Sequence, residues 1–310
     1  MLNVERLGKD IMKLGPLGNP KVLCSYVVMG SRISIVDCGP SIVIDDLIDA
    51  ISSCGISPNE VDQLLLTHIH IDHAGGASKF LQKCPNSHAF VPKRGYKFLL
   101  DPTRLNSSAE SVLGEKLFNY WGECSPVKAE KLTPVEPNQI LDLGSREIQY
   151  IEATGHAPHH NVLLEKKDNI LFAADSLGIF DDQVTEFASP TTPPPSFDYV
   201  KAIDDITKIR DVIKPSLVCL AHYRTITPDS LFYTRVLDMY ATWKREIKFY
   251  LSTKTNHSAF DIGDSDLVYS KLSQIYPSFD IVGPFLRDQI KRVDIAGFAE
   301  YLQKNDAMSS

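Results

Sequence analysis

Apolar positions along this chain change their spacing several times, and each change marks an element. Between residues 22 and 36 the stretches VLCSYVV and ISIVD flank the turn Met29-Gly30-Ser31, which predicts a β-hairpin. Residues 42–51 place apolar side chains at helical intervals, and Gly55 stands where a helix C-terminus needs a left-handed residue. After a turn or single helical turn at Ser57-Pro58-Asn59-Glu60, the short apolar run 61–66 predicts a buried parallel strand that delivers the chain to His68. Helical pieces are expected at 77–83, 95–100 and 109–120, with a strand at 88–91. Runs at 139–143, 147–152, 161–165 and 170–173, separated by turn residues, predict an antiparallel meander. Residues 177–198 form an irregular loop, because Pro193, Pro194 and Pro195 remove three consecutive backbone donors. A helix at 199–213 and a buried strand at 216–221, ending at His222, complete the alternation. Past Pro228 the period is helical throughout, at 230–251, 265–275 and 286–302, the last with Ile290, Val293, Ile295, Phe298 and Leu302 in its apolar face. The reading is an α/β domain over residues 1–225 followed by a helical C-terminal extension over 226–310.

Composition narrows the class of partner. With 43% hydrophobic and 23% charged residues, the 310-residue chain is an ordinary globular sequence. Its 32 basic against 39 acidic residues give a net charge of −7, which offers no general attraction to phosphate backbones or anionic lipid. Residues 1–20 mix Glu5, Lys9, Asp10 and Lys13 among apolar positions and do not read as a signal peptide, and no run approaches the roughly 18 apolar residues of a membrane span. Six cysteines, none in a CxxC pair, are expected to be reduced, buried and small in role, as in a cytoplasmic protein. The expected partner is a small-molecule substrate, with nucleic acid disfavoured, no membrane, and a homodimer left open.

The chemistry concentrates in His68-x-His70-x-Asp72-His73, directly after a predicted strand. Alternate residues of an extended segment point the same way, so His68 and His70 can serve one ion while the turn toward Gly75-Gly76 swings Asp72 and His73 toward a second. His156 (in TGHAP), Asp175 (in AAD) and His222 (in LAH) each lie at the C-terminal edge of a predicted strand or in the loop after it, where one rim can gather them.

In this order and spacing the residues resemble the metallo-β-lactamase superfamily over about residues 20–225, in the branch of glyoxalase II and related thioester and lactone hydrolases, and more closely an uncharacterised archaeal and bacterial subgroup. The resemblance implies a four-layer αββα sandwich, with His68, His70 and His156 on a first metal, Asp72, His73 and His222 on a second, and Asp175 bridging. It also implies that Asp37 supports the metal loop from behind. Two features depart from it. His159 stands where relatives carry glycine, as a donor near the site or a surface imidazole, and the glutathione-binding surface of glyoxalase II has no counterpart in the C-terminal residues. His70 separates the chain from flavodiiron proteins, which resemble it but place Glu there.

The expected activity is a dinuclear metal-dependent hydrolase cleaving a small ester, thioester or lactone by a metal-bridged hydroxide, with Asp72 and Asp175 as catalytic carboxylates. The two divalent ions are expected to be zinc, with iron or manganese as alternatives. The rivals are a phosphodiesterase or nuclease of the same superfamily, a metal-binding regulatory protein with little turnover, and a persulfide-oxidising single-iron protein. Tyr223 adjoins His222, where its phenol could donate to the substrate carbonyl; if residues 221–223 are extended, it instead faces away from His222 into the core. The loop 177–198 is expected to wall the pocket, with Phe180, Phe187 and Phe197 lining it or packing on the helical module.

Overall fold

The computed structural model describes residues 4–18, 21–180, 188–253, 261–276 and 284–307. The chain divides into two compact units. Met1–Glu152, His159–Ala174 and Pro215–Ile226 make the first, and Ala153–Pro158, Asp175–Lys214 and Thr227–Ser310 the second.

Two sheets face each other in the first unit. One runs in sequence order through β1 (Val4–Arg6), β2 (Ile11–Leu17), β3 (Leu23–Met29), β4 (Ile33–Val36), β5 (Val61–Leu65), β6 (His88–Pro92) and β7 (Leu132–Val135), antiparallel up to β4 and parallel from there. The other comprises β8 (Ile140–Asp142), β9 (Glu147–Glu152), β10 (Asn161–Glu165), β11 (Ile170–Ala174), β14 (Leu217–Leu220) and β15 (Thr225–Ile226). It is an antiparallel meander from β8 to β11, to which β14 adds in parallel and β15 beside it antiparallel. Their facing side chains form one core, with Ile11, Tyr26, Val28, Val36 and Leu65 from the first sheet against Ile148, Tyr150, Leu163, Phe172 and Cys219 from the second.

Helices cover the first sheet where crossovers are needed. The helix α1 (Ile44–Ser53) buries Ile44, Leu47, Ala50 and Ile51 on one stripe, against β2 and α3 (Ala77–Lys83), and Gly55 follows at φ +79° as the spacing predicted. Between β5 and α3 lies a single turn, α2 (Ile71–Ala74). Three further helices, α4 (Tyr96–Leu100), α5 (Thr103–Leu113) and α6 (Glu115–Trp121), connect β6 to β7. The expected helix over 109–120 is broken, since Gly114 takes φ +75° between α5 and α6. Strands β1, β2, β7 and β15 were not expected. Within IMKLGPL, Gly15-Pro16 and a buried Lys13, 2.7 Å from Glu5, hide the alternation that marks a strand.

Hydrogen bonds join the two sheets where β14 ends. Leu23 bridges His222, the Cys24 N–H donates to the Ala221 carbonyl (2.7 Å), and the Tyr26 hydroxyl donates to the Leu220 carbonyl. The end of β14 is thereby fixed beside the start of β3.

In the second unit the short pair β12 (Ile179–Phe180) and β13 (Ala188–Ser189) interrupts the expected loop, and α7 (Tyr199–Lys208) runs into a wide helical turn, Ile209–Ile213. Then follow α8 (Ser230–Ser252), α9 (Ile262–Ile275), α10 (Pro284–Gln289), the wide turn Ile290–Ile295 and α11 (Ala296–Ala307). Their core gathers Val236, Tyr240, Trp243 and Ile247 with Ile290, Ile295, Phe298 and Ala299. Phe197 packs on Phe298, Tyr240 and Tyr301, and Phe180 on Phe232, so both aromatics serve the helical packing; Phe187 lies outside the described residues. Among the described residues no helix is long and apolar enough to cross a membrane. The α/β sandwich with C-terminal helices expected from the sequence is present.

Candidate metal centre

Donors of the first unit converge where β5 ends. Past β5 the chain bends at Thr67 and reaches His70, which precedes α2 in extended backbone at φ −60°, ψ 150°. Alternation turns His68 and His70 the same way, with ring centroids 4.8 Å apart and edge to face. The helical turn then presents Asp72 and His73 together. Asp72 Oδ2 lies 3.6 Å from His73 Nε2 and 3.8 Å from Nε2 of His222, which arrives from the end of β14. One ligand atom from each of Asp72, His73 and His222 falls within 4.8 Å of the others. His68 and His73 are buried, their centroids 3.9 Å apart.

Behind these rings a hydrogen-bond relay sets their orientation. Asp37, buried at the end of β4, accepts from the Thr67 N–H at Oδ1 (2.8 Å), and from the Thr67 hydroxyl (2.7 Å) and His73 Nδ1 (3.1 Å) at Oδ2. Since the Thr67 hydroxyl donates to Asp37, it accepts from His68 Nδ1, 3.0 Å away. Both imidazoles therefore carry their proton on Nδ1 and the lone pair on Nε2, the arrangement of a metal-ligating histidine. Asp37 does what the resemblance implied; Thr67 was not singled out, although its place directly before His68 was the available signal.

Within the second unit, His156 Nε2 and Asp175 Oδ2 lie 3.3 Å apart, and both residues are buried. His156 Nδ1 donates to the Thr191 carbonyl (2.9 Å), which again leaves the lone pair on Nε2. The loop bearing His156 is pinned to α7. Gly155 donates to Asp205 Oδ2 (2.7 Å) and accepts from the Asp198 N–H (2.8 Å), and a Cβ on Gly155 would sit 2.3 Å from the Ala202 backbone, so only glycine permits the approach.

Burial pushes the Asp205 carboxyl up to about 6, against the Gly155 N–H, which lowers it. A carboxyl raised on folding favours the fold most below its unfolded value near 4, and that contribution is lost as pH rises through 6. Asp205→Asn keeps an acceptor for Gly155 without the charge. The variant is expected to exceed the parent in stability above pH 6 by on the order of 2 kcal/mol, with the gap closing between pH 6 and 4. Urea titrations of both proteins across pH 4–8 check this, and parallel stability profiles would refute it.

Backbone strain clusters at the same rim. Asp37 (φ 51°), Ala174 (φ 45°) and Tyr223 (φ 64°) occupy the left-handed region at the ends of β4, β11 and β14, two of them beside Asp175 and His222. Each costs on the order of 1 kcal/mol or more, a cost that concentrates at functional sites. Left-handed Tyr223 also corrects the extended geometry expected for 221–223, and its side chain is half-buried, outside the core. His159 is half-buried, its ring 5.0 Å from that of His70 and 6.0 Å from that of His68; His160, passed over in the sequence, is fully buried 4.7 Å from His68. Among the described residues the six cysteines form no disulfide, and all but Cys54 are buried; burial pushes Cys84 up to about 11 and Cys124 up to about 12, so neither is a thiolate at neutral pH.

Imidazole Nε2 atoms and carboxylates set in this way form a cluster compatible with divalent metal binding. Residues 20–222 match the sequence profile of the metallo-beta-lactamase superfamily. The metallo-beta-lactamase fold-containing protein ST1585 of the archaeon Sulfurisphaera tokodaii is 32% identical over 226 residues, covering 71% of this chain and 80% of that protein. Its crystal structure superposes with a TM-score of 0.66 over 94% of this chain and 99% of its own. YybB of Bacillus subtilis, named a probable metallo-hydrolase, is 26% identical over 69% of this chain and 86% of its own. A nitric oxide reductase of Moorella thermoacetica is 23% identical over 71% of this chain and 52% of its own.

Proposed function

The chain belongs to the metallo-β-lactamase superfamily, and on that footing we propose that it is a dinuclear metal-dependent hydrolase acting on a small ester, thioester or lactone. In this reading His68, His70 and His156 would hold one ion and Asp72, His73 and His222 the other, and Asp175 would be the carboxylate shared between them. Zinc suits these donors, with iron or manganese as alternatives. When bound, such ions would supply the Lewis acidity that makes hydroxide available at neutral pH and polarises a carbonyl.

The chain's own residues do the rest. Thr67, Asp37 and the Thr191 carbonyl keep the proton of His68, His73 and His156 on Nδ1. Asp72 and Asp175 orient the attacking water and carry its proton to the leaving group through their carboxylate oxygens. The observation that carries the reading is the approach of Asp72 Oδ2 to both His73 and His222, with His73 held from behind by Asp37. His70 favours hydrolysis over dioxygen reduction, where the resemblance places Glu. The net charge of −7 favours a small substrate over a polynucleotide.

Elemental analysis of protein purified without added metal or chelator, and again after reconstitution, is expected to reach two ions per chain. The same sample is then assayed against esters, thioesters, lactones and phosphodiesters. Occupancy that never exceeds one ion would overturn the dinuclear assignment, and turnover confined to phosphodiesters would overturn the substrate class.

A further inference from the structure

We propose that the C-terminal helices serve the metal centre directly, with Asp294 as a positioning residue that fixes His156 and Asp175 through residues 189–192. The inference rests on the reading of those two residues as ligands, and every contact it uses lies in the second unit.

Asp294 sits in the wide helical turn Ile290–Ile295 and is 2% exposed. A carboxylate buried so deeply is costly unless it answers donors that would otherwise go unmet. Its Oδ2 accepts from the Ser189 hydroxyl (3.1 Å) and its Oδ1 from the Thr192 N–H (3.1 Å), while its carbonyl accepts from the Thr192 hydroxyl (2.6 Å). Ser189 and Thr192 are themselves fully buried, so one residue answers three donors of a loop more than a hundred positions earlier.

Between those two anchors stands Thr191, and it faces the ligands. The Thr191 carbonyl accepts from His156 Nδ1 (2.9 Å), and the Thr191 hydroxyl donates to the Asp175 carbonyl. Tyr240, buried on α8, hydrogen bonds the Thr191 side chain from the helical side. A second, independent feature secures the loop against α11. A Cβ built on Gly297 would lie 1.9 Å from the Thr192 carbonyl oxygen and 2.6 Å from Pro194 N, so glycine is required where the loop meets the helix.

His156 and Asp175 thus take their orientation from a threonine flanked by Ser189 and Thr192, both tied to Asp294. Residues that orient metal ligands from behind are commonly worth about 10- to 100-fold in affinity. Asp294→Ala is expected to weaken the ion held by His156 and Asp175 about 10-fold or more, with a smaller effect on the ion at Asp72, His73 and His222. Asp294→Asn, whose amide oxygen still receives the Thr192 N–H while the Ser189 hydroxyl can turn to accept, is expected to restore most of that loss. Gly297→Ala, which displaces the loop without removing any of its polar groups, is expected to act like Asp294→Ala.

The experiment uses the full chain and two readouts. The first is 15N imidazole NMR of the metal-free protein, in which the His156 signal should report an Nδ1-protonated ring for the parent and Asp294→Asn, and lose that signature in Asp294→Ala and Gly297→Ala. The second is zinc titration in competition with a chelator, with His156→Ala as the reference for loss of that ion. Unchanged His156 signals and zinc affinities in both disruptive variants, with only Tm lowered, would overturn the proposal, since the helices would then merely support the fold. Should His156→Ala bind zinc as the parent does, the ligand reading fails instead, and the metal-free NMR still decides whether Asp294 positions His156.

Discussion

Replacing Asp175 with alanine is expected to leave a folded chain that holds one divalent ion and has lost activity by about three orders of magnitude or more. The carboxylate is buried with His156 Nε2 3.3 Å away, and in the proposed centre it alone is shared by both ions. Its backbone carbonyl has a separate task, accepting from the Thr191 hydroxyl, and alanine keeps that carbonyl. The substitution therefore removes the metal-facing group and leaves the loop anchor in place. Removing one buried charge that lies beside other ligands has little to cost the metal-free fold, whose main core lies between the two sheets around Tyr150 and Phe172. Elemental analysis, circular dichroism and turnover on the best substrate of the parent test all three parts. Near-normal activity with two bound ions would show that another residue bridges.

How much of this centre the sequence discloses depends on the distance over which each residue acts. His68, His70, Asp72 and His73 are legible because a strand end and one helical turn, both local structures, decide where they point. His156, Asp175 and His222 are legible only as residues that follow strands; what places the strand ends that carry Asp175 and His222 is strand pairing, such as the parallel register of β11 with β14 and the bridge from Leu23 to His222. The residues that orient the ligands divide in the same way. Thr67 precedes His68 and its role can be suspected from position, whereas Thr191 acts on a ring 35 positions away and nothing near it in the chain marks it.

Asp294 is the clearest case of information that periodicity cannot carry. The helical spacing selects Val293 and Ile295 as core positions, yet the turn at Ile290–Ile295 is wider than an α-helix and turns Asp294 inward, leaving Val293 half-buried. The same spacing misses β2, where Gly15-Pro16 breaks the alternation, and joins α5 to α6 across Gly114. The proline-rich loop is a milder version of the same lesson. Its composition excludes helix and sheet interior, as found for residues 191–195, but does not reveal that Thr191 and Thr192 are bound to ligands and to Asp294.

Asp37 offers the sharpest test of the relay, because two substitutions there are expected to part stability from metal binding. Asp37→Ala removes the acceptor for the Thr67 N–H, the Thr67 hydroxyl and His73 Nδ1, three buried donors. Each costs about 1–3 kcal/mol when left unmet, so this variant is expected to lose roughly 3–5 kcal/mol of stability along with metal affinity. Asp37→Asn differs in kind. Its amide oxygen can still receive the Thr67 N–H, while its NH2 replaces Oδ2 and must donate where Oδ2 accepted. The Thr67 hydroxyl then accepts from Asn and turns its proton toward His68 Nδ1, and His73 Nδ1 accepts likewise, so both rings move their proton to Nε2. A ring protonated on Nε2 cannot ligate through that atom, so one isosteric change would disable a ligand of each ion while keeping every hydrogen bond. Stability of the metal-free Asp37→Asn protein is thus expected within about 1 kcal/mol of the parent, with affinity for both ions down about 10- to 100-fold. Urea titration of the metal-free proteins, zinc titration and 15N imidazole NMR read the three quantities separately. An Asp37→Asn protein that binds zinc as the parent does, with His68 and His73 still protonated on Nδ1, would show that the relay through Thr67 and Asp37 does not set the tautomers.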